Sequence, residues 1–317
     1  MTEQLSCCIC GEPVAPPYKT LGGRVYCDRH HALVNRPHTG YWRADLALIL
    51  GMGALSALVA YLTRDIQGLE PGALLVAGLL MALVPTALWL FFFYRQDRLE
   101  PEPKTSVASV LLLAILLTQA VGLPLIRDGL RVPEWATHDT LTSLLASILV
   151  LGFVYQTIVY TAVRAVIYNT PEFDERMDGI LYGTVAGLGV ATLLNLRFVL
   201  DNGGVAISPG VIRVVTTALA QATFGGLLGY FMAEAKFVRR PVWWVPLGLV
   251  VAATLNGLFS WLINEVSAAG LSVDPWRSLA LGLIVALVMF AVLIWLMRRA
   301  VEVTLAGPRR ASRGSAR

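Results

Sequence analysis

Long apolar segments constrain the fold of this chain more than any other feature. About eight runs of spanning length follow one another, near residues 44–62, 72–94, 105–125, 141–168, 179–200, 210–234, 241–263 and 277–297. A transmembrane helix needs about 20 apolar residues to cross the hydrocarbon core of a bilayer. Only 15% of the residues are charged and 56% are hydrophobic, which excludes an ordinary soluble domain. The sequence therefore predicts an all-α polytopic membrane protein.

The distribution of Lys and Arg predicts how the spans are oriented. With eight spans, both termini lie on one side of the membrane, and that side holds 19 of the 25 Lys and Arg residues. Positively charged loops tend to remain in the cytoplasm. We therefore expect cytoplasmic termini and a location in the plasma membrane.

Composition divides the chain into three parts. Residues 1–40 are polar and rich in Cys, His and Pro, residues 41–300 carry the apolar spans, and residues 301–317 form a basic, small-residue-rich segment. We expect a small cytoplasmic domain, a transmembrane bundle and a disordered cytoplasmic tail.

The small N-terminal domain contains all four cysteines of the chain, in a pattern typical of a metal site. Cys7-x2-Cys10 is followed, after 16 residues, by Cys27-x2-His30. Two short chelating pairs separated by a hairpin-sized insert suit tetrahedral zinc, which accepts thiolate and imidazole ligands. Four protein ligands leave no open position, so we expect one structural zinc ion. The pattern resembles half of a LIM-like or treble-clef zinc ribbon and indicates a docking module.

Two alternatives remain open for this domain. Cys8 and His31 are adjacent to Cys7 and His30, so either member of each doublet can be the ligand. The four cysteines can also be reduced and unbound. Zinc is favoured because so small a domain has little hydrophobic core to hold it together.

Four later segments, in order, resemble the PrsW-type intramembrane metalloproteases, part of a superfamily that includes CAAX-processing proteases. They span roughly residues 90–262 and read FYRQDRLEPEPKTS, PEFDERMDGILYGTVAGLGVATLLN, QATFGGLLGYFMAEAKF and LNGLFS. The resemblance implies a PrsW-like helical bundle. It also implies a metal held inside the membrane by Glu and His side chains, where the ion lowers the pKa of a bound water. The N-terminal ribbon lies outside the resemblance.

The sequence departs from the family pattern at each reactive position. The family's Glu-Glu-x-x-Lys block, its later Glu, its two His residues and a final Asp or Asn fall here on Tyr155, Gln156, Val159, Leu194, Gln221, Asn256 and Ser260. The only histidines of the chain are His30, His31, His38 and His138. Because neutral amides ligate metals weakly and cannot act as a general base near neutral pH, we expect no catalytic residues and no intramembrane metal.

Several of the replacements are polar, and they can form a cluster. Amides donate and accept hydrogen bonds between membrane helices, with about 0.6 kcal/mol of stabilisation per bond on average. We therefore predict a neutral polar cluster of Gln156, Asn195, Gln221 and Asn256, with Thr192 and Ser260 beside it. The alternative is that each amide is satisfied separately by nearby backbone.

Two further groups have plainer interpretations. Glycines in the fifth and sixth spans allow close helix packing; they are Gly183, Gly187, Gly189, Gly225, Gly226 and Gly229. Acids collect at the predicted cytoplasmic rim, namely Glu100, Glu102, Asp174, Glu175 and Asp178. They can form a metal site, but solvated loop acids and helix caps are the favoured interpretation.

These observations predict a pseudoprotease that acts as a scaffold. The bundle binds a membrane partner, and the zinc ribbon recruits a membrane or cytoplasmic protein. Such a role resembles that of the gamma-secretase scaffold subunit. One alternative is an active intramembrane metalloprotease that uses displaced residues. Another is a protein that binds or transports a lipid or small molecule. We expect contact with the lipid bilayer and no nucleic-acid partner.

Overall fold

The computed structural model describes residues 5–21, 24–35, 51, 70–95, 102–201, 207–269 and 275–306. The first predicted span, near residues 44–62, lies outside the described residues apart from residue 51. The predicted tail is described only to Ala306, and up to that point it continues the last helix.

The ribbon is a two-stranded hairpin followed by a short helix. Strand β1 (Lys19–Leu21) pairs antiparallel with β2 (Arg24–Tyr26), and helix α1 covers Asp28–Val34. Cys27 is the N-cap residue of α1. The first cysteine pair sits in a tight turn in which Gly11 has a φ of 70°, a left-handed conformation that glycine adopts without steric cost. The second chelating pair therefore lies at the start of this helix, with Cys27 as its cap and His30 in its first turn.

Helices, most of them long, make up most of the remaining described chain. They are α2 (Pro71–Tyr94), α3 (Lys104–Leu117), α4 (Val132–Trp135), α5 (Thr140–Ala146), α6 (Phe153–Val166), α7 (Arg176–Asp201), α8 (Ile207–Phe237), α9 (Trp244–Ala269) and α10 (Pro275–Ala306). Wide π-helical turns, Thr118–Gly122, Leu125–Gly129 and Ser147–Gly152, join some of the shorter pieces. Helices suit this composition because each satisfies its own backbone hydrogen bonds where no water is available.

Six helical segments of the described residues are long and apolar enough to cross a membrane. They are Gly72–Tyr94, Lys104–Trp135, Thr140–Val166, Arg176–Asp201, Arg213–Phe237 and Trp244–Ile263. These correspond to the second to seventh predicted spans. The eighth prediction coincides with α10, whose side chains are described only in part. The structure thus supports an integral membrane protein with six such helices, and the number eight remains a prediction.

Helices α7 and α8 form the centre of the bundle. In their apolar segments 89% and 83% of the residues are buried, against 28–39% in the other four candidate spans. The two helices pack backbone to backbone: a Cβ on Gly183 would meet the carbonyl oxygen of Gly225, and one on Gly187 would meet that of Gln221. Small residues permit this approach, so the predicted packing role of these glycines is confirmed.

Candidate functional site

The chelating residues of the ribbon come together around one point. The ligand atoms of Cys7, Cys10, Cys27 and His30 all lie within 4.8 Å of one another. The His30 Nδ1 atom is 3.5 Å from the Cys7 Sγ and 3.2 Å from the Cys27 Sγ, and the Cys10 and Cys27 sulfurs are 3.9 Å apart. A tetrahedron with metal–sulfur bonds of about 2.3 Å and metal–nitrogen bonds of about 2.0 Å has edges of similar length. The geometry thus selects Cys7 and His30 from the two doublets.

The electrostatics of the cluster fit a dication. Burial opposes ionisation of Cys7, but three backbone hydrogen bonds and one from His30 lower the pKa of Cys7 to about 6. At Cys10 a backbone hydrogen bond from Glu12 favours the thiolate, yet partial desolvation and two neighbouring thiols raise the pKa of Cys10 to about 11. Several thiolates at this spacing repel one another, and a bound cation removes that repulsion. The residues therefore fit a metal ion.

The positions that the sequence resemblance assigns to the family's reactive residues lie on four helices. Tyr155, Gln156 and Val159 are on α6, directly after the π-helical turn Ser147–Gly152, and Leu194 is on α7. Gln221 is on α8, and Asn256 and Ser260 are on α9. A π-helical turn widens the helix and often occurs beside a functional site.

Gln221 and Asn256 form a reciprocal amide pair between α8 and α9. The Gln221 Nε2 donates to the Asn256 Oδ1 at 3.0 Å, and the Asn256 Nδ2 donates to the Gln221 Oε1 at 2.8 Å. The Ser260 hydroxyl donates to the same Asn256 oxygen at 3.3 Å. Both amides are almost fully buried. Each satisfies the other, as buried polar groups in a membrane require.

The other two predicted members of the cluster have different surroundings. The Asn195 Nδ2 donates to the backbone oxygen of Val214 at 3.0 Å, which is the plainer of the two sequence interpretations for this residue. Gln156 is fully buried, and its amide has no hydrogen-bond partner among the described residues. Thr192 bonds instead to the hydroxyl of Thr86 on α2, at 2.8 Å. The four amides thus include one interhelical pair and two separate groups.

A cavity of about 330 Å³ lies next to the amide pair. Tyr155, Leu194, Asn195, Gln221 and Ser260 contribute to its wall. It extends towards the end of the bundle where α7 finishes and α8 begins, because Asp201 and Arg213 also line it. Four of the seven positions that the sequence resemblance assigns to reactive residues therefore line one shared space, namely Tyr155, Leu194, Gln221 and Ser260.

Arginines line the outer part of the cavity, and the sequence interpretation missed this arrangement. They are Arg127, Arg197 and Arg213. Arg197 donates to the Gln119 Oε1 at 3.0 Å, whereas Arg127 pairs with Asp201 at 2.8 Å. No local sequence signal links these residues, because they come from three different segments.

Three of the acids at the opposite end of the bundle are buried, which corrects the expectation of solvated loop acids for them; Asp174 is exposed as expected, and Glu100 lies outside the described residues. Glu102, Glu175 and Asp178 are each 3–5% exposed. The Asp178 carboxylate accepts from the backbone amides of Asp174 and Glu175, at 2.7 and 2.6 Å, and so caps the start of α7. The cap predicted among these residues is therefore present, and the cap residue is Asp178.

The remaining partners of these acids tie the ribbon to the bundle. Tyr182, one turn after Asp178, donates to the Glu102 Oε2 at 2.7 Å. Arg24 of strand β2 pairs with Glu175 at 2.8 Å and also contacts Asp174. Among the described residues, only the Cys/His group of the ribbon forms a metal-ligand cluster.

Comparison with known proteins identifies the bundle. The model of the PrsW family intramembrane metalloproteases matches residues 102–297, well over half of the chain. The chain belongs to the PrsW family. The matched region covers the whole described bundle except α2 and the last residues of α10, and it excludes the ribbon.

Curated relatives carry the same family name. The chain is 28% identical over 182 residues to Protease PrsW of Geobacillus kaustophilus, covering 57% of this chain and 77% of the relative. It is 26% identical over 187 residues to Protease PrsW of Bacillus subtilis, with 58% and 82% covered. A third relative, Protease PrsW of Shouchella clausii, is 22% identical over 224 residues, with 70% and 94% covered. No solved structure matches the chain.

Proposed function

We propose that this PrsW family member is a non-catalytic membrane scaffold. Its bundle binds a membrane-protein partner, and its ribbon, held by one zinc ion, recruits a membrane or cytoplasmic protein. The protein resides in the plasma membrane with both termini in the cytoplasm. The observation that carries the proposal is the reciprocal amide pair of Gln221 and Asn256, the two residues that the sequence resemblance places where the family has histidines.

The chemistry of this pair supports the proposal. Each amide uses its carbonyl oxygen to accept, and its NH2 group to donate, a bond to the other. An imidazole offers a divalent metal a strong nitrogen donor, whereas an amide oxygen that already accepts hydrogen bonds is a weak ligand. Leu194, at the position that the resemblance assigns to a family glutamate, has no atom that can ligate a metal. A neutral pair thus preserves the contact between α8 and α9 without the hydrolytic chemistry.

The buried acids at the start of α7 are too far from the cavity to replace the lost ligands. Asp178 and Asn195 are 17 residues apart on α7, about 25 Å along the helix axis. Glu102 and Asp178 are also engaged by Tyr182 and by backbone amides. These buried acids therefore lie far from the cavity, and the carboxylate that does line it, that of Asp201, pairs with Arg127.

The contact between ribbon and bundle supports a docking role. Arg24 belongs to the strand that leads into Cys27 and pairs with Asp174 and Glu175 at the start of α7. Metal binding that orders the hairpin therefore also places Arg24 against the bundle. A partner that binds the ribbon is held at a fixed position relative to the membrane helices.

Metal analysis tests the proposal. We expect one zinc ion per full-length chain, and less than a tenth of that in the Cys10→Ser/Cys27→Ser variant. Cys8→Ser is the matched control and retains the metal, because Cys8 lies outside the ligand cluster. Metal that remains bound after both ligands are removed would indicate a second site in the bundle and contradict the non-catalytic assignment.

A cleavage assay is the second test of the proposed function. The purified chain is incubated with a model transmembrane substrate beside an active family member as positive control. We expect no cleavage by this chain under conditions in which the control is active. Cleavage that a chelator abolishes, and that persists in the Cys10→Ser/Cys27→Ser variant, establishes the active-protease alternative.

A further inference from the structure

Three side chains in the wall of the cavity offer hydrogen-bonding groups that the rest of the described chain does not use. They are Tyr155 of α6, Asn195 of α7 and Thr217 of α8, each no more than 9% exposed. The hydroxyls of Tyr155 and Thr217 make no hydrogen bond with any described residue. The Asn195 Nδ2 donates to the Val214 oxygen, which leaves the Oδ1 atom of the same amide without a donor in the described chain. Because a buried polar group without a partner is costly, whatever occupies the cavity must supply the missing partners.

The hydrogen-bonding character of these groups selects a neutral occupant. The Asn195 Oδ1 can only accept, so the occupant must bring an O–H or N–H group to it. Each of the Tyr155 and Thr217 hydroxyls can donate one hydrogen bond and accept another. A fully ionised carboxylate or phosphate donates nothing to Asn195, whereas hydroxyl groups satisfy all three side chains.

The arginines in the outer part of the cavity are engaged within the protein. Arg127 pairs with Asp201 at 2.8 Å. Arg197 donates to the Gln119 Oε1 at 3.0 Å. The Arg213 guanidinium lies 4.0 Å from the centroid of an aromatic ring and has a further partner. Among the described lining residues, the side-chain groups that lack partners are therefore neutral ones.

The rest of the wall is largely apolar and comes in good part from the outer helices of the bundle. These apolar members include Leu123, Ile126, Leu151, Phe259 and Ile263. They belong to the second, third and sixth of the six apolar helical segments, in which only 33–39% of the residues are buried. Because these segments have the larger share of their surface towards the bilayer, an acyl chain that leaves the cavity between them enters the hydrocarbon core.

From these observations we infer that the cavity binds a neutral single-chain lipid whose head group carries hydroxyls, of which monoacylglycerol is the simplest. Tyr155, Asn195 and Thr217 bind the glycerol hydroxyls, and the apolar wall receives the start of the acyl chain. A volume of about 330 Å³ accommodates about ten non-hydrogen atoms, at about 30 Å³ each. That space holds the glycerol, the ester carbonyl and the first methylene groups, so the rest of the chain extends into the bilayer. This ligand site goes beyond the proposed scaffold role and does not depend on it.

Competition for radiolabelled monooleoylglycerol bound to the full-length protein tests the head group. The protein is held in neutral detergent, and the lipids are compared at equal mole fractions in the micelle. Methyl oleate keeps the chain and the ester but has no hydroxyl, so we expect it to compete at least about tenfold less well than unlabelled monooleoylglycerol. Free glycerol has the hydroxyls without a chain and should not compete. Lysophosphatidate, in which a phosphate replaces one hydroxyl, should compete at least about threefold less well.

Each comparison has an outcome that overturns the inference. Methyl oleate that competes as well as monooleoylglycerol would show that water satisfies the polar groups of the wall. Free glycerol that competes as well as the lipid would remove the bilayer as the source of the ligand. Lysophosphatidate that competes equally well or better would assign binding to the arginines. All three comparisons use the unaltered protein, so they decide the matter even where a variant fails to fold.

Isosteric replacements locate the site. Tyr155→Phe/Thr217→Val removes two hydroxyls and keeps the shape of both side chains, and it should weaken monooleoylglycerol binding at least about tenfold. Tyr160→Phe/Thr161→Val is the matched control, because it removes the same two groups from residues of α6 that do not line the cavity. The control should bind within about twofold of the wild type. An equal loss in both variants, or undiminished binding by the first, overturns the location of the site.

Thermal unfolding separates ligand binding from a structural role. Because the Tyr155 and Thr217 hydroxyls have no partner among the described residues, their removal should not lower the midpoint of the ligand-free protein. Added monooleoylglycerol should raise the midpoint of the wild type and of the control, but not that of Tyr155→Phe/Thr217→Val. A lower midpoint of this variant without ligand would show that the hydroxyls stabilise the fold, and it would overturn their assignment to a ligand. Because lipid binding is measured and not cleavage or zinc content, this inference and the proposed function fail independently of each other.

Discussion

The ribbon and the membrane bundle differ in the side chains that they offer to a metal ion. In the ribbon, three thiols and one imidazole converge with ligand atoms within 4.8 Å. In the bundle, the helices that carry the positions assigned by resemblance to reactive residues pack closely, but the side chains at these positions are amides, a leucine, a hydroxyl and aromatic or aliphatic groups. Helix packing and the chemistry at its centre are therefore separable, because glycines determine the first and a few polar side chains the second.

Removing the ribbon's ligands should have the largest effect, and it tests whether the two regions are independent. In Cys10→Ser/Cys27→Ser we expect the ribbon to unfold locally, because metal binding contributes about 10 kcal/mol to the folding of comparable small zinc domains. The bundle should keep its thermal midpoint, since the ribbon lies outside its core. Hydrogen exchange measures both regions in one experiment. Equal protection of β1 and β2 in wild type and variant would contradict this prediction.

Disrupting the close contact of α7 and α8 should have the second largest effect. Gly183→Leu forces a side chain against the backbone of Gly225, so we expect at least about 3 kcal/mol of destabilisation or a loss of folded protein. Gly72→Leu, on α2, is the control, because no atom lies within 4 Å of a Cβ built at Gly72. Thermal unfolding in detergent distinguishes them. A Gly183→Leu protein as stable as the control would show that this packing is not what holds the centre together.

Replacing the amide pair should have a smaller effect on stability, and it tests what the side chains at the centre of the bundle contribute. Gln221→Leu leaves the Asn256 amide buried without its main partner, which costs about 2 kcal/mol. Gln221→Leu/Asn256→Leu removes both amides and should cost less than about 1 kcal/mol. Thermal midpoints of the two single variants and the double variant measure the coupling. If the double variant is the least stable of the three, the pair has a role beyond mutual satisfaction.

Breaking the contact between the two regions should have the smallest effect. Arg24→Ala removes one pairing with an exposed carboxylate, that of Asp174, and one with a buried carboxylate, that of Glu175, and we expect a stability loss of about 1–2 kcal/mol. In limited proteolysis, the ribbon of this variant should be cleaved from the bundle faster than that of the wild type. Lys19→Ala is the control, because the Lys19–Asp28 pair is within the ribbon and well exposed. The same cleavage rate in both variants would show that Arg24 does not hold the ribbon in place.

Local patterns predicted much of this molecule. The spacing of Cys7, Cys10, Cys27 and His30 predicted the group that the structure brings together, since chelating pairs on a turn and at a helix start have few ways to meet. The glycines at 183, 187, 225 and 229 predicted a close helix contact, because only residues without a Cβ allow it. The family resemblance was likewise readable from ordered sequence blocks, and the family match confirms it.

Other features depended on distant parts of the chain. Glu102 and Tyr182 are 80 residues apart, and their hydrogen bond helps explain why acids expected to be solvated are buried. Asn195 and Gln156 were predicted beside the amide pair, yet the rotation of α6 and α7 gives them other surroundings. Helical periodicity fixes which residues share a face, but not which face meets which neighbour.

The sequence by itself determined that the chain spans a membrane and carries a Cys/His chelating pattern near its start, and its resemblance to the family predicts that other residues replace the reactive Glu and His. These are matters of composition and short spacing, which no later folding step changes. Only the tertiary structure decided that Gln221 pairs with Asn256, that Arg24 meets the acids at the start of α7, and that three arginines line one cavity. Such contacts join segments far apart in the chain, and their formation depends on how whole helices pack.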